Sequence, residues 1–375
     1  MSITIEDMRS KLVSIETVTQ RLQQTEPLSS DHLSTDTPVS FRFDPDWVAD
    51  AEVADIEPVR AYMTIAGHER QMTRGAAFQA AALVGISAAL TKRLPTPNLE
   101  SDLNYFYSSG GRDKEYNVLS VGDQVSAFTR PTLVPFSNLQ LLDHALVGIA
   151  NRFGADAEVF ADYKFMNTLG RTDVRLIVPE YRRIIEAGDM PDVPEGEQDE
   201  WMAGLHLFNS AIGKGQTTLD AYLFRYWCTN GETVQNDAVG LWSRRHDGQD
   251  EDVYEWAQQA VDDVFEGMSS KLDQVQALTS LEIGNLGEVL RTVFDQYQVP
   301  VAQRDLIQDA MAQPETPRTM YAVMNAITSA ANDPSVSMER ADRLMRIGGD
   351  IPTETFDPMK AVSYTHLTLP TKRIV

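Results

Sequence analysis

Apolar and polar positions alternate from residue 201 to residue 208. Trp201, Ala203, Leu205 and Leu207 fall on one side, and Met202, Gly204, His206 and Phe208 on the other. A period of two is that of a half-buried β-strand. Residues 218–228 are rich in aromatic and branched side chains and predict the returning strand. Between them, residues 209–217 hold Asn209-Ser210 and glycines at 213 and 215, which are free to turn the chain. Asn230-Gly231 then reads as a closing turn dipeptide. The pattern predicts a central β-hairpin whose ends gather polar groups beside a buried thiol, Cys228.

Upstream, Ile5, Met8, Leu12, Ile15, Val18 and Leu22 recur at roughly helical spacing and predict an amphipathic helix over residues 1–24. Residues 25–40 are mostly Ser, Thr, Asp and Pro, the composition of a flexible linker. A short strand is expected within 41–48 and a strong helix over 72–94, ended by prolines at 95 and 97. A hairpin around Gly122-Asp123, a helix over 139–153 and strands at 158–166 and 173–179 follow. Residues 186–200 are acidic and rich in Pro and Gly, an exposed loop. A helical stripe (Val253, Trp256, Ala260, Val264, Met268, Leu272) and four shorter helices near 286–297, 303–312, 318–331 and 337–347 complete the chain. Helices, then antiparallel strands, then helices make an α+β fold with a mixed, mainly antiparallel sheet, and not a βαβ repeat. The expected units are an α+β domain over 41–285 and a helical part over 286–360.

The last fifteen residues do not follow this grammar. Residues 362–371 are what GTC TCT TAT ACA CAT CTG ACG CTG CCG ACG encodes, which looks like the mosaic end of a transposase-based sequencing adapter. Residues 361–375 are therefore expected to be adapter translation, and His366, Lys372 and Arg373 enter no functional argument.

With 375 residues and 42% hydrophobic content, the chain has ample length for a core. No apolar run approaches the ~20 residues of a membrane span, and the acidic, amphipathic start is unlike an export signal. One cysteine cannot form an internal disulfide, which fits a reducing cytoplasm. A formal charge of −23 repels nucleic acid overall, although a local basic groove can still bind it.

Candidate chemistry clusters around the hairpin. Gly213-Lys214-Gly215 is no phosphate loop, because Gly215 stands where Ser or Thr belongs and Phe208 where the first glycine belongs. Lys214 is a loop lysine able to meet a phosphate or a carboxylate. Cys228 is either a small buried hydrophobe or a nucleophile with His206 or His246 as base. No His or Cys pair has metal-ligand spacing, so neither a metal nor another cofactor is expected. Arg225, Arg244, Arg245 and His246 lie among Tyr222, Tyr226, Trp227 and Trp242, the mixture that single-stranded nucleic acid requires. An ordinary sheet with ion-paired edges is the commoner source of the same mixture. Asn209 and Asn230 are expected to fix turns through backbone bonds.

Asn209-Ser210, Gly213, Gly215, Leu219, Arg225, the run from Cys228 to Gly231, and Arg245-His246 resemble the core signature of a phage/plasmid-like family, the domain of unknown function numbered 932. Met72-Thr73, Arg93-Leu94-Pro95, Asn104-Tyr105 and Arg130-Pro131 are similar to its entry region. Two departures stand out: residues 132–134 lack the usual tyrosine, and Ala211 replaces a frequent glutamate. The resemblance implies a phage, prophage or plasmid gene acting in the bacterial host cytoplasm, with no established reaction. The expectation is an accessory factor in mobile-element DNA metabolism, binding single-stranded DNA or a DNA-processing partner. The binding candidates are Asn209, Ser210, Lys214, Arg225, Asn230, Arg245 and His246. A cysteine-dependent enzyme and a non-catalytic interaction module are the alternatives.

Overall fold

The computed structural model describes residues 4–26, 29–47, 58–108, 115–133, 136–162, 171–210, 216–227, 230–234, 242–244 and 250–352. The alternating stretch is strand β10 (Glu200–Ser210), paired antiparallel with β11 (Thr217–Arg225) from Trp201 opposite Arg225 to Phe208 opposite Thr218. Its other edge meets β9 (Arg171–Ile184), with a bulge between Met202 and Ala203. Beyond β9 lie β8 (Phe160–Asp162) and β1 (Val13–Ser14), while β12 (Asn230–Val234) and β13 (Trp242–Arg244) both pair with β11.

The two faces of this sheet are covered by different elements. Trp201, Ala203, Leu205 and Leu207, with Val174, Leu176 and Val178 of β9 and Leu219, Ala221 and Leu223 of β11, join the larger core. That core includes helices α6 (Asn138–Phe153), α7 (Asp250–Thr279) and α10 (Met320–Ala330). Each valine or leucine among them contributes roughly 1.5–3 kcal/mol by leaving water. On the opposite face Met202, Ile177, Tyr222 and Phe224 are covered by Met8 and Leu12, from α1 (Ile5–Lys11) and its C-terminal cap. Gly204 has a role here that no larger residue can fill: a Cβ on it would sit 1.8 Å from the Leu176 carbonyl oxygen on β9.

A second sheet runs β2 (Ser29–Leu33), β6 (Tyr116–Val121), β7 (Gln124–Thr129), β5 (His68–Thr73), β4 (Pro58–Ile65), β3 (Val39–Phe43). Only the β5–β7 pair is parallel among the described pairings. It has its own core, shared with α3 (Arg74–Leu83) and α5 (Thr96–Ser108). The fold is α+β with two mostly antiparallel sheets, as the element order implies. The C-terminal helices are α8 (Leu286–Gln296), α9 (Val301–Met311), α10 and α11 (Met338–Asp350).

Several elements depart from the sequence pattern. The first helix is broken: α1 stops before Leu12, Val13 and Ser14 pair with Ala161 and Phe160, and Ser14 caps α2 (Ile15–Thr25) through Thr17 N. The stretch expected as linker contains β2, hydrogen-bonded along β6, with Leu33 fully buried. Cross-strand pairing overrides its polar composition. The helix expected over 72–94 ends at Leu83, because Gly85 takes a positive φ of 86° and Ser87 caps a new short helix, α4 (Ala88–Thr91). Asn230-Gly231 is no turn: both residues lie in β12, opposite Arg225 and Phe224. Residues 361–375 lie outside the described residues.

Gly204→Ala is expected to lower stability by about 2–4 kcal/mol, since β9 and β10 must separate to admit the methyl group. Gly284→Ala has nothing within 4 Å of the added carbon and should stay within about 0.5 kcal/mol. Urea midpoints of the two variants compare them; equal midpoints would refute the close approach.

Candidate functional site

A row of charged residues crosses the face of the sheet opposite the larger core. Asp162 on β8 lies opposite Arg175 on β9, Arg175 opposite His206 on β10, and His206 opposite Asp220 on β11. All four are buried, Arg175 and His206 completely. Asp173, two positions from Arg175 and so on the same face, lies 2.6 Å by its Oδ1 from His206 Nε2. Helix α11 completes the cluster. Its Asp342 Oδ1 accepts from Arg175 Nη2 at 3.0 Å and its Oδ2 from Arg346 Nε at 2.9 Å. Arg346 Nη1 donates to Asp220 Oδ2 at 3.3 Å. Buried charges survive only when paired and hydrogen-bonded, and this cluster meets that condition by alternating carboxylates with cations. Burial nevertheless pushes the Asp220 carboxyl above its ordinary range, against the pull of His206 and Arg346. Asp173, His206 and Asp342 each offer a ligand atom within 4.8 Å of the others, the one set among the described residues that could hold a metal ion.

A second cluster lies at the far end of the other face. Arg225 is fully buried; its Nε and Nη2 grip Asp199 Oδ1 and Oδ2 at 2.7 and 2.9 Å, and its Nη2 also reaches Asp192 Oδ1 at 3.0 Å. The Tyr321 hydroxyl on α10 donates to Asp199 Oδ2 at 2.5 Å and accepts from Trp201 Nε1 at 2.8 Å. Burial, with Asp199 alongside, holds that hydroxyl well above its usual pKa and outweighs the opposite effect of Arg225. The acidic loop before β10, the β10–β11 hairpin and α10 are thus tied by one chain of charge-assisted bonds.

Of the residues singled out from sequence, Asn209, Arg225 and His206 have described side chains, and these three do not converge. Asn209 is buried on the larger-core face, donating to Phe136 O at 2.9 Å and Asn138 Oδ1 at 2.7 Å, and accepting from Thr217 Oγ1 at 2.7 Å. It secures α6 to the hairpin; it is not merely fixing a turn. Arg225 stands opposite Trp201, eight strand positions from Asn209, which is roughly 27 Å at 3.4 Å per residue. His206 points to the other face. Ser210 ends β10 and Asn230 starts β12, but their side chains are outside the described set, as are Lys214, Cys228, Arg245 and His246. Tyr226, whose amide meets Glu200 O, is six strand positions from His206, roughly 20 Å.

The stacking face expected from interleaved arginine and aromatics also changes character. Tyr222 and Tyr226 are buried in the minor core, Lys11 sits 4.0 Å over the Tyr226 ring, and Trp227 donates to Gln198 O at 2.6 Å. With Arg225 enclosed by carboxylates and both tyrosines buried, only the half-buried Trp227 offers surface to a base among the members whose side chains are described. The residues that matter but were not foreseen are Asp173, Arg175, Asp199, Asp220, Tyr321, Asp342 and Arg346. Asp173, Arg175 and Asp220 could have been found: charges at alternate positions of otherwise apolar strands signal a partnered buried cluster.

Residues 184–335 match the family described as Domain of unknown function (DUF932). The chain carries this domain. No curated protein and no solved structure matches it. The DUF932 stretch contains every member of the Arg225 cluster, from Asp192 to Tyr321, whereas the His206 cluster draws Asp162, Asp173, Arg175, Asp342 and Arg346 from outside it. It also reaches beyond the central motif, through α7 to α10.

Two predictions follow from the ion pairs. Arg225→Ala strands Asp199 inside the protein and should cost about 3–5 kcal/mol in urea unfolding. Adding Asp199→Ala should cost clearly less than the sum of the single changes, because the two side chains act as a pair. Additive losses would contradict the pairing. For Asp220, a folded-state pKa above the unfolded one means its contribution is fully present at acid pH, below the unfolded value of 3.8. That contribution is lost as pH rises through the raised folded value. Asp220→Asn should therefore gain stability relative to wild type across that acid window and then level off. A difference that shrinks with rising pH would reverse the assignment.

Proposed function

We propose that this protein is a phage- or plasmid-encoded accessory factor of DNA metabolism, acting in the bacterial cytoplasm. It works by holding a basic DNA-processing protein on its acidic exterior, and not by gripping single-stranded DNA itself. The observation that supports this reading most is the outer side of α7. This 30-residue helix carries eight Asp or Glu residues and one lysine. The lysine, Lys271, is buried and donates to Gly349 O at 3.0 Å. Glu255, Asp262, Glu266 and Asp273 are all exposed, and their spacings of seven, four and seven place them along one line of the helix. Arg152 and Arg183 touch this ridge at Asp262 and Asp273, at 3.4 and 2.5 Å. Exposed pairs of that kind are worth at most about 1 kcal/mol, so a partner's basic groups can displace them.

The DNA-contact alternative loses Arg225, Tyr222 and Tyr226, whose side chains are inside. The cysteine-enzyme alternative rests on Cys228 with His206 or His246, and Cys228 and His246 lie outside the described residues. Among the described residues no helix is long and apolar enough to cross a membrane.

The test uses the full chain, tagged and crosslinked in cells carrying its parent element, beside a Glu255→Lys/Glu266→Lys variant. Wild type is expected to crosslink through α7 to a basic DNA-processing protein, with recovery falling at least tenfold in the variant and with added salt. Unchanged capture by the variant would overturn the docking surface. Tight binding of single-stranded DNA at low salt by wild type would restore the direct-contact reading in its place.

A further inference from the structure

The cluster around His206 brings an imidazole and two carboxylates from three separate elements within reach of one another. Asp173 on β9, His206 on β10 and Asp342 on α11 each offer a ligand atom, all within 4.8 Å of one another, and the first two are buried while Asp342 lies nearer the surface. We propose that a divalent transition-metal ion binds here through Asp173, His206 and Asp342.

The donor set fits that class of ion. Imidazole with carboxylates suits Mn²⁺, Fe²⁺ and Zn²⁺, whereas Mg²⁺ and Ca²⁺ prefer oxygen alone. Metal–ligand bonds of about 2.0–2.2 Å set the ligand atoms roughly 3 Å apart. His206 Nε2 and Asp173 Oδ1 are at 2.6 Å, and the three atoms lie within 4.8 Å of one another. A small turn of the Asp342 side chain on α11 brings the third ligand into range. The arginines then serve as the outer shell: Arg175 and Arg346 each donate to Asp342, fixing the direction in which it presents its oxygens. An entry path exists on the α11 side, where the Asp342 and Arg346 side chains are 17% and 24% exposed. Three protein ligands leave coordination positions for water, the composition of metal centres that do chemistry, in contrast to closed structural ones.

Sequence spacing could not have revealed this set. Asp173 and His206 are brought together by the β9–β10 register, and Asp342 arrives from a helix 136 residues after His206. The inference is independent of partner docking, since no residue of the α7 ridge takes part.

The experiment titrates the full-length chain, stripped with chelator, with Zn²⁺ and Mn²⁺ by calorimetry, and with Co²⁺ by visible absorption. One equivalent per chain is expected, with Co²⁺ bands in the range of nitrogen and oxygen ligation. At a hundredfold excess over Kd, Tm should rise by about 5 °C. Asp342→Asn, which keeps acceptor oxygen but loses the charge beside Arg175, should weaken binding at least tenfold and abolish the metal-induced rise in Tm relative to the same variant in chelator; His206→Gln tests the nitrogen ligand. Asp262→Asn, on the exposed ridge, should bind as wild type does. Weak, multi-equivalent uptake that Asp342→Asn leaves unchanged would mean only the acidic surface collects cations, and the proposal falls. No uptake at all would overturn it too.

Discussion

Strand β10 is covered on both faces, so each ionised group on it and its neighbours must find a countercharge inside the protein. That single constraint organises the sheet. On one side Asn209, Arg225 and Trp201 are engaged by α6, the acidic loop and α10. On the other, the cross-strand row from Asp162 to Asp220 is closed by α11. Apolar burial supplies the larger share of the stabilisation and already resists a slip of one residue along β10, which would turn Leu205 and Leu207 out of their core. A slip of two residues would keep the apolar face inward but pull His206 away from Asp173. The polar contacts therefore add to the specification of register, a role with precedents among buried ion pairs.

Much of this was legible in the residues. The alternation through Leu205 and Leu207 located β10, and the stripe from Val253 to Leu272 located α7. Local chemistry misled where tertiary pairing won. Ser29–Leu33 carries the composition of a linker yet supplies an edge strand, and Asn230-Gly231 has the look of a turn yet sits in a ladder. The site was less legible for a related reason. Arg225 among aromatics looks the same in sequence whether it faces a nucleobase or a carboxylate. The answer lay in Asp199 and Asp192, 26 and 33 residues earlier, in a loop whose path no periodicity encodes. His206 was noticed, but its partners come from a strand before it and a helix far after it.

The two clusters differ in how they relate to the DUF932 stretch. The Arg225 cluster is wholly contained in it and joins its first loop to its last helix, which makes it a property of the domain's own architecture. The His206 cluster is assembled across the borders of that stretch. Whatever chemistry it supports belongs to the larger arrangement that adds β8, β9 and α11, and so is free to differ between chains sharing only the matched part.

The path of β9 has a practical consequence. Almost all of that strand precedes residue 184, yet it hydrogen-bonds along the full length of β10. Cutting the chain at the borders of the recognised domain would strip β10 of a neighbour and leave an unsatisfied, largely apolar edge, the kind of template on which chains associate into aggregates. The recognised domain and the smallest self-sufficient folding unit are therefore different objects in this protein.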